Sequence, residues 1–188
     1  MIYYNLSGFY EHFTLNKFIL ELRDTNPEYF RDGIKIGTFF GNFPFCTWDG
    51  GRNFPFYRQI TKEEIEKIRD FYKFYNIPLR LIFTNSAIEE EDLYDPFCNL
   101  QMKLLEDGNN EVVVNSPLLE QYLRETYPDF KYISSTTKCL NKEKFLKELQ
   151  NPDYYQVCLD YNLNKDMDML ENIPQELRSK CEFLSNAI

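Results

Sequence analysis

The sequence predicts an α/β fold with a parallel sheet, and we favour a (β/α) barrel of TIM type over a doubly wound open sheet. Short apolar runs alternate with helix-forming stretches along the 188 residues, and this alternation is typical of parallel sheets with right-handed crossovers. Several runs end in asparagine. From Asn85 onward the run ends recur at intervals of roughly 20 to 30 residues, which suits the repeating unit of such a barrel.

The first elements follow from apolar spacing. Residues 1–5 predict a strand, and residues 14–22 predict a helix with Thr14 as its N-cap. Residues 33–41 predict the second strand. His12, the single histidine, lies in the loop after the first strand, a position compatible with catalysis, although a histidine without an identified partner is more often a surface or packing residue.

Residues 42–60 form a long aromatic loop that repeats the pattern Asn-Phe-Pro-Phe at residues 42–45 and 53–56. Loops of this length are uncommon unless they are lids, binding loops or disordered, and the aromatic content argues against disorder. In one interpretation the loop is a lid, with Trp48 as a stacking surface and Arg52 as a fork for a carboxylate or phosphate. In the other it packs on the barrel through its own aromatic side chains.

Capping signals locate the later elements. Thr61 and Glu64 form a capping box for a helix at residues 61–76, and Ser116 with Pro117 begins a helix that extends to residue 124. Further strands are predicted at residues 79–85, 111–115, 131–135, 155–162 and 181–186, and further helices at residues 95–105, 141–149, 167–170 and 175–178.

Side-chain alternation favours the barrel over the open sheet. In the sixth strand Cys158, Asp160 and Asn162 share one face, and a carboxylate there is hard to satisfy where helices cover both faces. The same alternation groups three further sets on a predicted inner face: residues 81, 83 and 85; residues 111, 113 and 115; and residues 182, 184 and 186. Because a complete barrel has eight strands and ~250 residues, we expect a fragment that stops before the eighth strand, or a barrel that a partner closes.

Composition limits the classes of function. With 43% hydrophobic and 17% aromatic residues, the chain can bury a core as one domain over residues 1–188. The net charge of −9 without a basic stripe argues against nucleic-acid binding. No apolar run approaches the ~20 residues that span a bilayer, and the amino terminus lacks the layout of a signal peptide. We therefore expect a cytoplasmic protein with no nucleic-acid or membrane partner.

The cysteines predict free thiols and no metal site. They are odd in number, widely spaced and without a C-x-x-C pair, which is typical of reduced thiols in a reducing compartment. Cys98 and Cys158 fall within predicted elements, where cysteine usually acts as a small buried apolar residue. The five are Cys46, Cys98, Cys139, Cys158 and Cys181.

The predicted site lies at the carboxyl ends of the strands, where barrels and parallel sheets bind ligands. Asp160 is the candidate general base or metal ligand, and Lys138 is a candidate electrostatic clamp or nucleophile. Asparagine does not titrate, so a ring of asparagines recognises polar groups; the alternative role is N-capping and turns. The candidate substrate-binding residues are Asn5, Asn85, Asn115, Asn162, Asn186, Trp48 and Arg52.

The later strand ends resemble those of one known family. Residues 112–117, 131–135, 159–162 and 183–186 are similar to the barrel of the U32 peptidase-like proteins and their uncharacterised relatives. The resemblance implies a TIM-like barrel and, in some members, iron–sulfur-dependent hydroxylation or a claimed peptidase activity. The family's cysteine cluster, which commonly lies beyond the later strands, is missing from this sequence, so no iron–sulfur ligand is transferred to any residue and the cofactor stays unknown.

These observations predict a barrel enzyme, or part of one, that acts on a small polar or peptide-like substrate. Two alternatives stay open. The chain could bind such a ligand without turning it over, or it could be a subunit that depends on a partner.

Overall fold

The computed structural model of the chain describes residues 1–51 and 60–184. Strands and helices alternate along these residues, as the apolar spacing predicts. The strands are β1 (Ile2–Ser7), β2 (Ile34–Gly41), β3 (Leu79–Phe83), β4 (Glu111–Val114), β5 (Lys131–Ser134), β6 (Gln156–Cys158) and β7 (Cys181–Glu182). The helices are α1 (Phe13–Thr25), α2 (Lys62–Phe74), α3 (Pro96–Leu105), α4 (Pro117–Thr126), α5 (Lys142–Gln150) and α6 (Met167–Glu171).

All the strands are parallel, and their order in the sheet is their order in the chain. A doubly wound sheet reverses direction at a switch point, and this sheet does not, so that alternative is excluded. Right-handed crossovers that advance in one direction place every helix on the same face. The other face, called the inner face below, carries strand side chains such as Ile82 and Val113.

The sheet is strongly curved. Arg80 of β3 donates hydrogen bonds to Glu182 of β7, with Nη1–Oε distances of 2.5 and 2.6 Å. In a flat sheet these strands would lie about 19 Å apart, four strand spacings, which is farther than the two side chains can span. The described residues therefore form an open half-barrel, with β1 and β7 at its edges. This confirms the parallel α/β prediction, whereas a closed eight-stranded barrel is not present in the described part of the chain.

Burial fixes which side chains face inward. Ile82, Val113, Ile133 and Cys158 form a small apolar cluster of their own, separate from the main core in which strand residues pack with helix residues such as Ile65, Leu119 and Phe145. That smaller cluster lies on the inner face, in agreement with the inward direction predicted for Val113 and Cys158.

The prediction for β3 is wrong by one residue. Leu81 and Phe83 are fully buried in the main core against the helices, not on the inner face. Arg80 and Ile82 face inward instead, because the Arg80 guanidinium finds carboxylates there, at Glu111 and Glu182. Asn85 lies beyond the end of β3 and does not continue the inner face.

Helix starts agree with the capping signals. The Thr61 hydroxyl accepts a hydrogen bond from Glu64 N and the Glu64 carboxylate accepts one from Thr61 N, which completes the predicted capping box of α2. The Ser116 hydroxyl accepts from Leu119 N at the start of α4. The first helix differs from its prediction, because α1 begins at Phe13 with His12 in the N-cap position.

Some strands end at residues other than those predicted, for local reasons. The sixth strand ends at Cys158, short of residue 162, because the Asp160 carboxylate accepts a hydrogen bond from Asn162 N and begins a 3₁₀ turn at Tyr161–Leu163. The first strand extends past Asn5 to Ser7. Other 3₁₀ turns lie at Pro27–Tyr29, Glu90–Tyr94, Thr136–Lys138 and Gln175–Lys180. Among the helices of the described residues, none has the length and apolar character needed to cross a membrane.

Candidate functional site

The carboxyl ends of the strands form the mouth of the half-barrel, and two adjacent polar side chains lie there on the inner face. Phe83 of β3 is in register with Val114 of β4, and Asn115 N donates to Phe83 O at 3.2 Å. Thr84 and Asn115 therefore follow neighbouring strand ends side by side. Because Ile82 and Val113 face inward, alternation directs the Thr84 and Asn115 side chains to the inner face as well.

Both side chains are half-buried, and Thr84 packs against Gly50 of the loop after β2, where an added Cβ would clash with Thr84 Oγ1. The Thr84 hydroxyl and the Asn115 amide form no hydrogen bond with any other residue that the structure describes. A hydroxyl offers one donor and two acceptor lone pairs, and an amide offers two donors and one acceptor oxygen. Buried polar groups are normally paired with protein or water, so these two can recognise a polar ligand.

Ser135 and Asp160 extend this set on the next strands, and together with Thr84 and Asn115 they are called the mouth layer. The Ser135 hydroxyl contacts the Thr137 hydroxyl at 2.7 Å and accepts from Thr137 N. Asp160 is only 7% exposed, and its Oδ1 accepts from Asn162 N and Nδ2, both at 2.9 Å. No described residue donates to Asp160 Oδ2, which leaves one carboxylate oxygen for a ligand.

Lys138 lies in the helix layer instead of the mouth layer. Its Nζ donates to Tyr154 Oη at 2.9 Å and pairs with Glu120 of α4 at 3.4 Å and Glu148 of α5 at 3.6 Å. Burial acts to lower the pKa of Lys138, but the Tyr154 hydrogen bond and the two glutamates outweigh it and raise the pKa. The protonated amine is favoured, so the geometry fits a clamp better than a nucleophile and does not bring Lys138 to Asp160.

The other predicted asparagines occupy different places. Asn85 closes a turn, donating to Thr47 O and accepting from Ala87 N, both at 2.9 Å. Asn162 is exposed and holds Asp160 through Nδ2. Asn5 lies within β1 against Gly37, below the mouth. Asn186 is outside the described residues.

The first half of the aromatic loop packs on the core. Trp48 is fully buried, its Nε1 donates to Asp92 O at 2.7 Å, and its ring meets Phe83 edge-on at 5.2 Å between centroids. The indole faces are thus occupied by the protein, and Trp48 offers no exposed stacking surface. Arg52 and the second Asn-Phe-Pro-Phe motif lie outside the described residues, so the lid interpretation of that part stays a prediction.

Sequence reasoning missed Thr84, Ser135 and Asn42. Asn42 is fully buried and bonds both Ile82 N and Ile82 O, at 2.8 and 2.6 Å, which extends the sheet past the end of β2. A signal for the direction of Thr84 exists in the sequence. Arg80 lies within a predicted apolar strand, and a buried arginine needs carboxylate partners such as Glu111 and Glu182, which are predicted to face inward. That requirement puts residues 80, 82 and 84 on the inner face.

The described residues do not fit an iron–sulfur cluster or another metal. No group of three or more histidine, cysteine, aspartate or glutamate side chains within them could hold a metal ion. Iron–sulfur clusters are held by several converging thiolates. Here Cys158 is enclosed in the inner cluster, Cys139 is exposed, and Cys46 and Cys98 contact each other in the main core.

Comparisons with known proteins give one informative match. No family model and no curated protein matches the chain. Among solved structures, "The Structure of the U32 Peptidase Mk0906" matches with a TM-score of 0.53 and 18% sequence identity, over 97% of this chain and 67% of that chain. At this level of identity the similarity concerns the fold alone. The half-barrel is therefore similar in fold to a U32 peptidase, as the resemblance of the later strand ends predicts.

Proposed function

We propose that the chain is a U32 peptidase-like barrel protein that binds a small polar or peptide-like ligand at the mouth of its half-barrel. The proposal rests on one observation, the adjacent and unpaired side chains of Thr84 and Asn115 on the inner face. An amide beside a hydroxyl can pair with both the N–H and the C=O of a peptide group. Asp160 Oδ2 adds an acceptor for a ligand amine on the same layer.

General features of parallel α/β proteins support this location. Ligands of (β/α) barrels bind at the carboxyl ends of the strands, where loops surround a pocket floored by the inner face. The solved structure with a similar fold is described as a peptidase, which makes peptide-like compounds the first class to test.

A binding experiment tests the proposal. Saturation-transfer NMR with a panel of free amino acids, dipeptides and tripeptides identifies a probe, and titration then compares the natural chain with Thr84→Val plus Asn115→Ala. Two lost hydrogen bonds predict a loss of affinity of about tenfold or more. Thr126→Val, an exposed residue at the end of α4, is the matched control and should bind normally. No binding from the whole panel, or equal binding by the double variant, contradicts the proposal.

The same layer can be tested for catalysis. We propose Asp160 as the general base of any turnover, because it supplies the carboxylate of the mouth layer. No described residue donates a hydrogen bond to its Oδ2. Asp160→Asn keeps an oxygen to accept from Asn162 and removes the basicity. Hydrolysis of a bound peptide that is lost in this variant, with affinity retained, supports the role, and unchanged hydrolysis removes Asp160 from the mechanism.

A non-catalytic or partner-dependent subunit is the second candidate. The mouth layer favours a non-catalytic protein, because Asp160 is the one member that titrates in the ordinary pH range and the other three are hydroxyl or amide groups. The edge strand favours a partner-dependent subunit: Ile2, Tyr3 and Tyr4 of β1 are exposed, and exposed apolar edges of sheets are sites of pairing. Binding without turnover in every form of the protein would support a non-catalytic role. A well-folded monomer in sedimentation equilibrium would count against dependence on a partner.

We also propose that the chain works in the cytoplasm. The support is compositional: an odd number of cysteines without close pairs in sequence fits a reducing compartment. Fractionation of cells that express a tagged chain tests the location, and recovery in an extracellular or membrane fraction contradicts it.

A further inference from the structure

Two cysteines that the proposed ligand site does not use are in direct contact. Cys46 lies in the loop after β2, and Cys98 lies in the first turn of α3. Their Sγ atoms are 3.0 Å apart, although 52 residues separate them in the chain. Cys46 is 8% exposed and Cys98 is fully buried.

Neighbouring hydrogen bonds hold both thiols in place. The Thr47 hydroxyl, next to Cys46, donates to Asp95 Oδ2 at 2.5 Å. The other oxygen of Asp95 accepts from Cys98 N at 2.8 Å and caps α3. Trp48 anchors the same loop through its bond to Asp92 O. Hydrogen bonds therefore join the loop after β2 to the start of α3 on either side of the sulfur contact. These bonds hold the two cysteines next to each other.

We propose that Cys46 and Cys98 are a dithiol site that forms a reversible disulfide with a low-molecular-weight disulfide, such as oxidised glutathione, as oxidant. A disulfide has an S–S distance of about 2.0 Å, so the sulfur atoms need to approach by only about 1 Å. This inference does not depend on the ligand proposed for the mouth.

The exchange balances in two steps. The Cys46 thiol, the more exposed of the two, loses its proton and attacks one sulfur of oxidised glutathione, forming a mixed disulfide and releasing one glutathione thiolate. The Cys98 sulfur then attacks Cys46 Sγ, the Cys46–Cys98 bond forms, and the second glutathione leaves. The two thiol protons end on the two glutathione thiols, and the oxidant gains the two electrons that the cysteines lose.

Burial governs the rate of this exchange. Desolvation, followed by the contact with Cys98, raises the pKa of Cys46 well above its ordinary value. The attacking thiolate is therefore scarce at neutral pH, and the rate should increase as pH rises. A slow reaction distinguishes this pair from Cys139, which is exposed to solvent.

The other cysteines offer no competing pair. Cys158 is enclosed by apolar side chains of the inner cluster. Cys181 Sγ contacts Leu177 O and Cys139 Sγ contacts Thr137 O, so neither sulfur faces another cysteine. The selectivity of the linkage is therefore set by the fold, and an unfolded chain would not show it.

Redox equilibration of the full chain tests the proposal. The chain is brought to equilibrium in glutathione buffers of graded composition from two directions, from the native reduced state and by refolding from urea, so that slow access does not decide the result. Alkylation and non-reducing peptide mapping then identify the linkage. We expect one cross-linked peptide pair, Cys46 with Cys98, which is lighter by two hydrogens than the two separate peptides. The Tm of the oxidised chain should rise by roughly 10 °C for a loop of this length.

Variants sharpen the test. Cys46→Ala and Cys98→Ala should each abolish the linkage and the thermal shift, while Cys139→Ser should leave both unchanged. Full alkylation of Cys46 and Cys98 in the most oxidising buffer from both directions would overturn the proposal. A mixture of linkages that involve Cys139 or Cys181 at the same glutathione ratio would overturn it as well. Both readouts come from the natural chain, so the proposal stays testable even if a variant fails to fold.

Discussion

Replacement of Arg80 by methionine should destabilise the half-barrel more than any other single change on its inner face. Arg80 is 2% exposed and joins four strands: it bonds Glu111 Oε2 at 2.6 Å, both Glu182 oxygens, and Gln156 Oε1 at 2.8 Å. Methionine fills much of the volume but supplies no charge, so two carboxylates lose their partner.

The magnitude follows from the burial of those carboxylates. The Glu111 and Glu182 side chains are 5% and 14% exposed. Removing one partner of a buried ion pair costs about 3 to 5 kcal/mol, because the remaining charge stays uncompensated. For a chain of this size that corresponds to a decrease in Tm of roughly 6 to 20 °C. Arg80→Met combined with Glu111→Gln and Glu182→Gln removes the uncompensated charges and should recover much of the loss.

The loss should depend on pH in a defined direction. Burial raises the pKa of Glu111, and Arg80 opposes that shift only in part. The contribution of Glu111 to the free energy of unfolding is therefore fully present below the pKa of Glu111 in the unfolded chain. It is lost as pH rises through the higher pKa of Glu111 in the folded chain. Without Arg80 the folded pKa rises further, so the variant should lose less stability near pH 5 than near pH 8.

Urea unfolding at both pH values, followed by circular dichroism, measures these differences. Arg31→Met, an exposed arginine, is the matched control and should change stability by less than about 0.5 kcal/mol. The reasoning is refuted if Arg80→Met costs under about 1 kcal/mol at pH 8, or if its loss is larger at pH 5 than at pH 8.

Two further predictions concern the loop after β2. Asn42→Ala should lower the free energy of unfolding by about 2 to 4 kcal/mol, because Ile82 N and Ile82 O each lose a buried partner; urea unfolding checks this, and a loss below about 1 kcal/mol contradicts it. Trp48 is the single tryptophan of the chain and is fully buried, so acrylamide should quench its fluorescence weakly in the native state and strongly in concentrated urea. Equal quenching in the two states would contradict the packed position of Trp48.

Much of the fold was predictable because it rests on local signals. Caps such as Thr61 and Ser116 are satisfied within four residues of themselves, and such pairings can be recognised in sequence. Strand ends were less predictable, since the length of β6 depends on whether Asp160 continues a strand or caps a turn. The curvature of the sheet depends on contacts between β3 and β7, which are 102 residues apart for Arg80 and Glu182, and no local pattern encodes it.

The site was predictable in part. The position of Asn115 at the mouth is predictable because Glu111 and Asn115, the polar residues at the two ends of its predicted strand, share one face, and the structure directs Asn115 to the inner face. The direction of Thr84 is not predictable from its strand, because both faces of β3 are largely apolar and periodicity alone does not fix which side chains face inward. The position of Lys138 after a predicted strand groups it with Asp160. Its actual direction depends on Glu120 and Glu148 in the helix layer, which sequence position does not reveal.

The central claim is that Thr84 and Asn115 bind a polar ligand on the inner face, and side-chain amide NMR tests it most directly. In ¹H–¹⁵N spectra recorded during titration with the dipeptide and tripeptide panel, the Asn115 side-chain amide should shift with the bound fraction. The Asn85 side-chain amide, which is bonded to Thr47 O within its turn, should shift much less. Saturable binding that leaves the Asn115 amide unmoved, or a complete panel that produces no shift at Asn115, would contradict the claim.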